Sequence, residues 1–126
     1  MKLLIVDDSD FSRLTLQRVV AEVPGLEIAE ASNGIEALEQ HRIFRPDIIF
    51  MDVTMPHLDG LTTLKIIRAI DKKVRIIMIT ALGTQQYLVD ECNAVGISAI
   101  LAKPIVRDVI LQAFQQACVA GEGENA

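Results

Sequence analysis

Four short apolar runs, each broken off by a charged or hydroxyl residue, constrain this chain more than any other feature. Lys2 to Val6 stops at Asp7-Asp8, and Ile48 to Met51 stops at Asp52. Val74 to Ile79 stops at Thr80, and Ile97 to Ala102 stops at Lys103-Pro104. Short apolar runs separated by helical stretches read as buried parallel strands. In an open α/β sheet, ligands bind outside the carboxyl ends of the strands. Three carboxylates, a hydroxyl and an ammonium are therefore expected to converge on one crevice. Carboxylates this close repel one another, and Lys103 alone cannot neutralise three. A hard divalent cation with oxygen ligands is the natural complement.

Strands are expected over roughly 2–7, 26–31, 47–52, 74–80 and 97–101, and helices over roughly 10–22, 34–43, 60–70, 84–94 and 105–119. Phe11, Leu14 and Val19, with Leu16 and Val20, form the expected apolar stripe of the first helix. Ser9 is a suitable N-cap for it, and Pro24-Gly25 a suitable stop. Asn33-Gly34 begins the second helix and Gly60 the third, whose Leu61, Leu64, Ile67 and Ile70 share a face. Val109, Phe114 and Cys118, with Ile105 and Ile110, mark the inner side of the last helix. Alternating strands and helices with short loops imply a parallel sheet with right-handed crossovers. The second strand, Leu26 to Ala31, alternates apolar with polar residues and so suits a sheet edge. That fits the order 2-1-3-4-5, which is the documented order of flavodoxin-like sheets and not one worked out from these residues alone. The expected architecture is α/β: a single (βα)5 flavodoxin-like domain with a parallel five-stranded sheet and helices on both faces. It spans 1–119, and the small, acidic stretch 120–126 is expected as a flexible tail.

With 126 residues, 51% of them hydrophobic, the chain can bury such a sheet on both sides. A net charge of −5 without a Lys/Arg stripe argues against direct nucleic-acid binding. Cys92 and Cys118 lack CxxC spacing and are expected as ordinary thiols in a reducing compartment. His41 and His57 have no ligand-spaced partners and are expected at the surface. No signal-like segment precedes Leu3, and no apolar run approaches the ~20 residues of a membrane span. A cytoplasmic protein without membrane insertion is expected.

Taken in order and each at a strand end, Asp7-Asp8, Asp52, Thr80-Ala81 and Lys103-Pro104 resemble the receiver domain of two-component response regulators. The resemblance runs from Met1 to about Val119. Any one of these residues means little alone; the ordered set is specific. Asp52-Val53-Thr54-Met55-Pro56 followed by Asp59-Gly60 looks like the family's loop after the phosphoacceptor. Val6-Asp7-Asp8-Ser9 with Arg13 is similar to its chemotaxis-type members.

The resemblance implies that Asp52 is the nucleophile that accepts a phosphoryl group as an aspartyl phosphate. It implies Mg²⁺ held by Asp8, Asp52 and the backbone carbonyl of Thr54, with Asp7 acting mainly through a metal-bound water. Lys103 would pair with one phosphoryl oxygen and Thr80 would hydrogen-bond another. Phosphoryl transfer is mostly positioning plus neutralisation of oxygen charge, which suits this set. A histidine kinase or a phosphotransfer protein is the implied donor, and a protein target the implied output partner. Output is expected through the fourth helix, fifth strand and fifth helix, with Thr80, Tyr87 and Ile100 as switch positions.

Two departures from the family pattern stand out. Ile100 holds the place where many members carry an aromatic residue, so the usual aromatic–threonine coupling has no ring to move. The stretch from Thr80 to Lys103 is expected to be slightly long, with an extra residue near Gly83-Thr84. In the resembling family the side chains two positions after the phosphoacceptor and two after the threonine flank the approach of a hydrolytic water, and here those positions hold Thr54 and Leu82. Neither can act as a general base, so slow unassisted dephosphorylation is expected. The competing assignment is a haloacid-dehalogenase-type phosphatase, because Asp8-Ser9-Asp10-Phe11-Ser12 mimics its DxDx[TS] signature. A third is a pure interaction domain, which leaves the complete set of site residues without a use. The favoured reading is a phosphorylation-driven switch and not a metabolic enzyme. With no DNA-binding segment in the sequence, a stand-alone module acting through protein contacts is expected.

Overall fold

The computed structural model describes residues 1–81 and 83–125, with the backbone path alone for 120–125. Its elements alternate without exception: β1 (Lys2–Val6), α1 (Asp10–Val19), β2 (Glu27–Ala31), α2 (Gly34–Phe44), β3 (Ile48–Asp52), α3 (Gly60–Ile70), β4 (Arg75–Thr80), α4 (Gln86–Val95), β5 (Ala99–Ala102) and α5 (Arg107–Asn125). Every strand pair is parallel, and the sheet order is β2-β1-β3-β4-β5. This is the expected α/β architecture. β2 is an edge, as its polar alternation implies, with Glu27, Ile28 and Glu30 exposed.

Side chains of a strand alternate between faces, and here each face builds its own core. Leu4, Val6, Ile49, Met51, Ile76 and Met78 pack under α2, α3 and α4 against Ala37, Leu64, Ile67 and Cys92. Leu3, Ile5, Ile48, Phe50, Ile77 and Ile79 pack under α1 and α5 against Leu16, Val19, Val20, Ile110 and Phe114. The Phe50 and Phe114 rings meet at 6.2 Å between centroids in a tilted arrangement. Each such fully buried side chain contributes about 1.5–3 kcal/mol by leaving water.

Local chemistry sets the helix starts. The Ser9 hydroxyl accepts from the Ser12 amide, Asn33 Oδ1 accepts from the Glu36 amide, and Asp59 Oδ1 accepts from the Thr62 amide. The Glu36 carboxylate reaches back to the amide and hydroxyl of Ser32, in the manner of a capping box. At Gly60 a side chain is sterically forbidden, because a Cβ there would lie 2.0 Å from the Asp52 carbonyl oxygen. The first residue of α3 thus lies directly against the end of β3.

Several expectations are corrected. Phe11 is 77% exposed and Leu14 is 44% exposed. The inward face of α1 runs through Ser12 and Arg13 to Leu16, Val19 and Val20, the last three packed in the core and Arg13 bonded to the Asp7 carbonyl at the end of β1. Ile70 and Val109 are also exposed: Ile70 is the last residue of α3, and Val109 points away from the sheet while its neighbour Ile110 is buried. His41, expected at the surface, is buried: its Nε2 lies 2.9 Å from Asp71 Oδ2, across the α2–α3 contact. His57 is exposed as expected. α1 closes at Val20, whose amide already bonds Arg18 and Leu16 carbonyls, before Pro24-Gly25 is reached. α4 begins at Gln86 after a turn in which the Thr84 amide and hydroxyl both donate to the Ala81 carbonyl. α5 continues as helical backbone to Asn125, and Ala126 lies outside the described residues. Among the described residues, no helix is long and apolar enough to cross a membrane.

Candidate functional site

The parallel register brings the ends of β1, β3, β4 and β5 to one edge of the sheet, with Val6 beside Met51, Asp52 beside Ile79 and Thr80 beside Ala102. Asp7, one residue past β1, is 1% exposed and every polar handle on it is engaged. Its amide donates to the Ala31 carbonyl and its carbonyl accepts from Arg13 Nη1. Its Oδ1 accepts from the Ser9 amide at 2.9 Å, and its Oδ2 accepts from Lys103 Nζ at 3.0 Å. Asp8, the next residue, is exposed at the mouth of the crevice.

Asp52 ends β3 and is 5% exposed. Its Oδ1 accepts from the Thr54 amide at 3.2 Å, and its Oδ2 lies 3.6 Å from Lys103 Nζ, at ion-pair distance. Lys103 is anchored from behind, since its amide donates to the Thr80 carbonyl at 2.7 Å. One carboxylate oxygen from each of Asp7, Asp8 and Asp52 lies within 4.8 Å of the others.

The charges do not balance, and the protonation behaviour reflects it. Burial first, then the Asp7 charge, push the Asp52 carboxyl from 3.8 to about 6, against the opposing pull of Lys103. Burial works against the charge on Lys103, but its contacts with Asp7 and Asp52 outweigh that and hold the ammonium above its ordinary value. Three carboxylates facing one ammonium leave two negative charges uncompensated at neutral pH. All three are hard oxygen donors open to solvent at Asp8, so the set fits a small divalent cation.

The remaining residues singled out from sequence fall into two groups. Thr80 is buried beside the site, and its hydroxyl donates to the Leu101 carbonyl on β5 at 3.4 Å. Thr54 contributes its amide to Asp52 while its side chain is exposed. Tyr87 and Ile100 stand on the flank: Tyr87 is exposed in the first turn of α4, and Ile100 pairs with Met78 and packs against the core under α2–α4. Leu82 lies outside the described residues. Arg13 and Ser9 are structural parts of the site, beyond the N-cap role of Ser9 and the place of Arg13 in the chemotaxis-type motif. The available signal is an arginine one turn into the helix that follows an acidic pair.

Comparison with known proteins decides the family. The family model described as "Response regulator receiver domain" matches residues 3–115. The chain belongs to the response regulator receiver family. It is similar to the chemotaxis protein CheY of Bacillus subtilis (strain 168), at 38% identity over 115 residues, covering 91% of this chain and 95% of that protein. It is similar to CheY of Thermotoga maritima, at 37% identity over 116 residues, covering 91% of this chain and 95% of that protein. Among solved structures, the REC domain of AraT, a response regulator from Geobacillus stearothermophilus, superposes with a TM-score of 0.91 at 29% identity, covering 99% of this chain and 98% of that one. As a receiver, the protein is a phosphorylation-activated switch of two-component signalling. The phosphatase alternative has no support, and its geometry is wrong: it needs Asp8 and Asp10 in one site. Asp10, with a side chain 94% exposed, instead pairs with Arg13.

Proposed function

We propose that Asp52 accepts the phosphoryl group and that Asp8, Asp52 and the Thr54 carbonyl hold Mg²⁺, with Asp7 acting through a metal-bound water. The observation that best supports this is the meeting of Asp7, Asp8 and Asp52 within 4.8 Å beside Lys103, at the carboxyl edge of the sheet. In the transfer, an Asp52 carboxylate oxygen forms a bond to phosphorus. The bond from phosphorus to the donor nitrogen breaks, and the imidazole keeps the electron pair. At neutral pH Asp52 is largely ionised, with a carboxyl near 6, so it is more basic than an ordinary aspartate and still available as a nucleophile. Lys103 would follow the incoming charge by pairing with a phosphoryl oxygen. Bound Mg²⁺ would supply neutralisation and orientation of the other phosphoryl oxygens.

A histidine kinase or a phosphotransfer protein is the proposed donor, and a cytoplasmic protein target receives the signal. The proposed output face comprises α4, β5 and α5. The Thr80 hydroxyl gives up only a long, weak bond to Leu101 when it turns to a phosphoryl oxygen. Tyr87 and Ile100 are the proposed readers of that shift. The receiver unit is taken as 1–119, with 120–126 appended to it.

The test is acetyl phosphate with Mg²⁺, followed by intact mass. One phosphoryl adduct is expected, lost in Asp52→Asn and in EDTA. An adduct that persists in either condition refutes the assignment. Beryllofluoride should then shift amides along α4, β5 and α5; changes confined to α1 and α2 would remove the proposed output face.

A further inference from the structure

We propose that Arg13 is a positioning residue for the metal and phosphoryl site, clamping the peptide group between Asp7 and Asp8 so that the Asp8 carboxylate is held on the crevice. Arg13 projects from the first turns of α1, yet its side chain is only 13% exposed. Nη1 donates to the Asp7 carbonyl at 2.6 Å. Nε donates to Glu30 Oε1 on β2 at 3.0 Å, and Nη2 pairs with Asp10. One guanidinium therefore ties the end of β1 to the neighbouring strand and to the start of α1.

The ordinary reading is a helix-surface arginine with two ion pairs. It does not explain the burial. Asp10 is 94% exposed and Glu30 is 46% exposed, and pairs with such exposed partners contribute little. They would leave the guanidinium in water as readily as out of it. The contact that requires Arg13 to turn inward is the one to the Asp7 carbonyl. That carbonyl belongs to the peptide group leading into Asp8, so fixing it fixes the direction from which the Asp8 side chain departs. The other handles on Asp7 are held by Ala31, Ser9 and Lys103 and do not reach this peptide plane. A lysine could supply the charge but not the planar fork that serves three acceptors at once.

This inference rests on the reading of Asp7, Asp8 and Asp52 as a Mg²⁺ site. The test therefore has one arm that needs the metal and one that does not. Mg²⁺ dissociation constants are measured by amide chemical-shift titration for wild type, Arg13→Ala and Arg13→Lys, with thermal melts to confirm folding. Loss of an outer-shell partner typically weakens metal binding 10–100-fold; because Arg13 acts through the backbone, about tenfold weakening is expected in both variants. If Arg13 acts only as a charge, Arg13→Ala tightens Mg²⁺ binding and Arg13→Lys leaves it unchanged. Either result overturns the proposal.

In EDTA, hydrogen exchange of the Ser9 amide, which caps Asp7 Oδ1, should speed up in Arg13→Lys; unchanged exchange overturns the proposal as well. If wild type shows no saturable Mg²⁺ response, the metal reading falls, and the exchange arm alone decides whether Arg13 holds the turn. Should Arg13→Ala fail to fold, Glu30→Gln loosens the far side of the guanidinium and should weaken Mg²⁺ binding in the same direction by a smaller factor.

Discussion

Replacing Asp52 by asparagine should stabilise the folded protein at neutral pH while abolishing its phosphorylation. The magnitude follows from the surroundings of the carboxylate. Burial and then the Asp7 charge raise its folded value from 3.8 to about 6, with Lys103 and the Thr54 amide offsetting part of the effect. Between those two values the folded state retains a proton that the unfolded chain has released. Stability therefore falls as pH rises through this window, and the full penalty stands above it. A shift of about two units corresponds to roughly 3 kcal/mol. The crevice opens to water at Asp8, so screening reduces this, and about 1–2 kcal/mol is the expected gain. The amide that replaces the carboxylate keeps an acceptor for the Thr54 N–H.

Urea unfolding in EDTA provides the assay, with wild type and Asp52→Asn compared at about pH 7.5 and about pH 4.5. The variant should have the higher midpoint at the upper pH, and the gap should narrow at the lower one. Added Mg²⁺ should stabilise wild type more than the variant, because it binds the folded carboxylates by mass action. Equal stabilities at the upper pH, or a gap unchanged at the lower, would show that Asp52 carries no electrostatic strain.

Three further outcomes are expected. His41→Ala should cost about 1–3 kcal/mol in urea unfolding, because it removes a buried ring and a part-buried bond to Asp71. Burial works to raise the Asp71 carboxyl, but the His41 bond and the Lys73 and Val74 amides hold it below 3.8, so its contribution is present above that value and is lost as pH falls through the lower folded one; the variant should flatten that acid limb. Gly60→Ala should lower stability by at least about 2 kcal/mol and slow phosphorylation by acetyl phosphate, since the new methyl would meet the Asp52 carbonyl at 2.0 Å. After donor removal, label on wild type should be lost more slowly than on Thr54→Asn, whose longer side chain can orient a water; equal decay would refute the hydrolysis reasoning.

Most of the candidate site is legible in the sequence, for a simple reason. A strand end is marked by where an apolar run stops, and the carboxyl edge of a parallel sheet collects those ends whatever the packing. Asp7, Asp52, Thr80 and Lys103 needed nothing more, and the polar alternation of Glu27, Ile28 and Glu30 marked β2 as an edge in the same local way. The misreadings have a different cause. The apolar content of α1 points to Phe11 and Leu14 as well as Leu16, Val19 and Val20, but the helix face that buries the latter three carries Ser12 and Arg13 inward at i−4 and i−3 spacing and leaves Phe11 and Leu14 in water. His41 was judged by its lack of metal-ligand spacing, while its burial depends on Asp71, separated from it by 30 residues. Long-range polar pairs leave no periodic trace.

The same limit applies inside the crevice, where spacing alone treats three aspartates as equivalent. Their bonding distinguishes them. Asp7 has both carboxylate oxygens engaged, one by the Ser9 amide and one by Lys103 at 3.0 Å, which draws electron density from each and holds the group as a fixed anchor. Asp8 is exposed at the rim, where water competes for its oxygens. Asp52 is buried, has its Oδ1 steadied by the Thr54 amide, and has its Oδ2 at 3.6 Å from Lys103, beyond a normal hydrogen bond. Burial also raises its proton affinity, and basicity and nucleophilicity rise together for one type of atom. An ammonium that bonds Asp7 and only faces Asp52 leaves the second carboxylate able to form a new bond, with a positive charge already beside it to receive the phosphoryl oxygens.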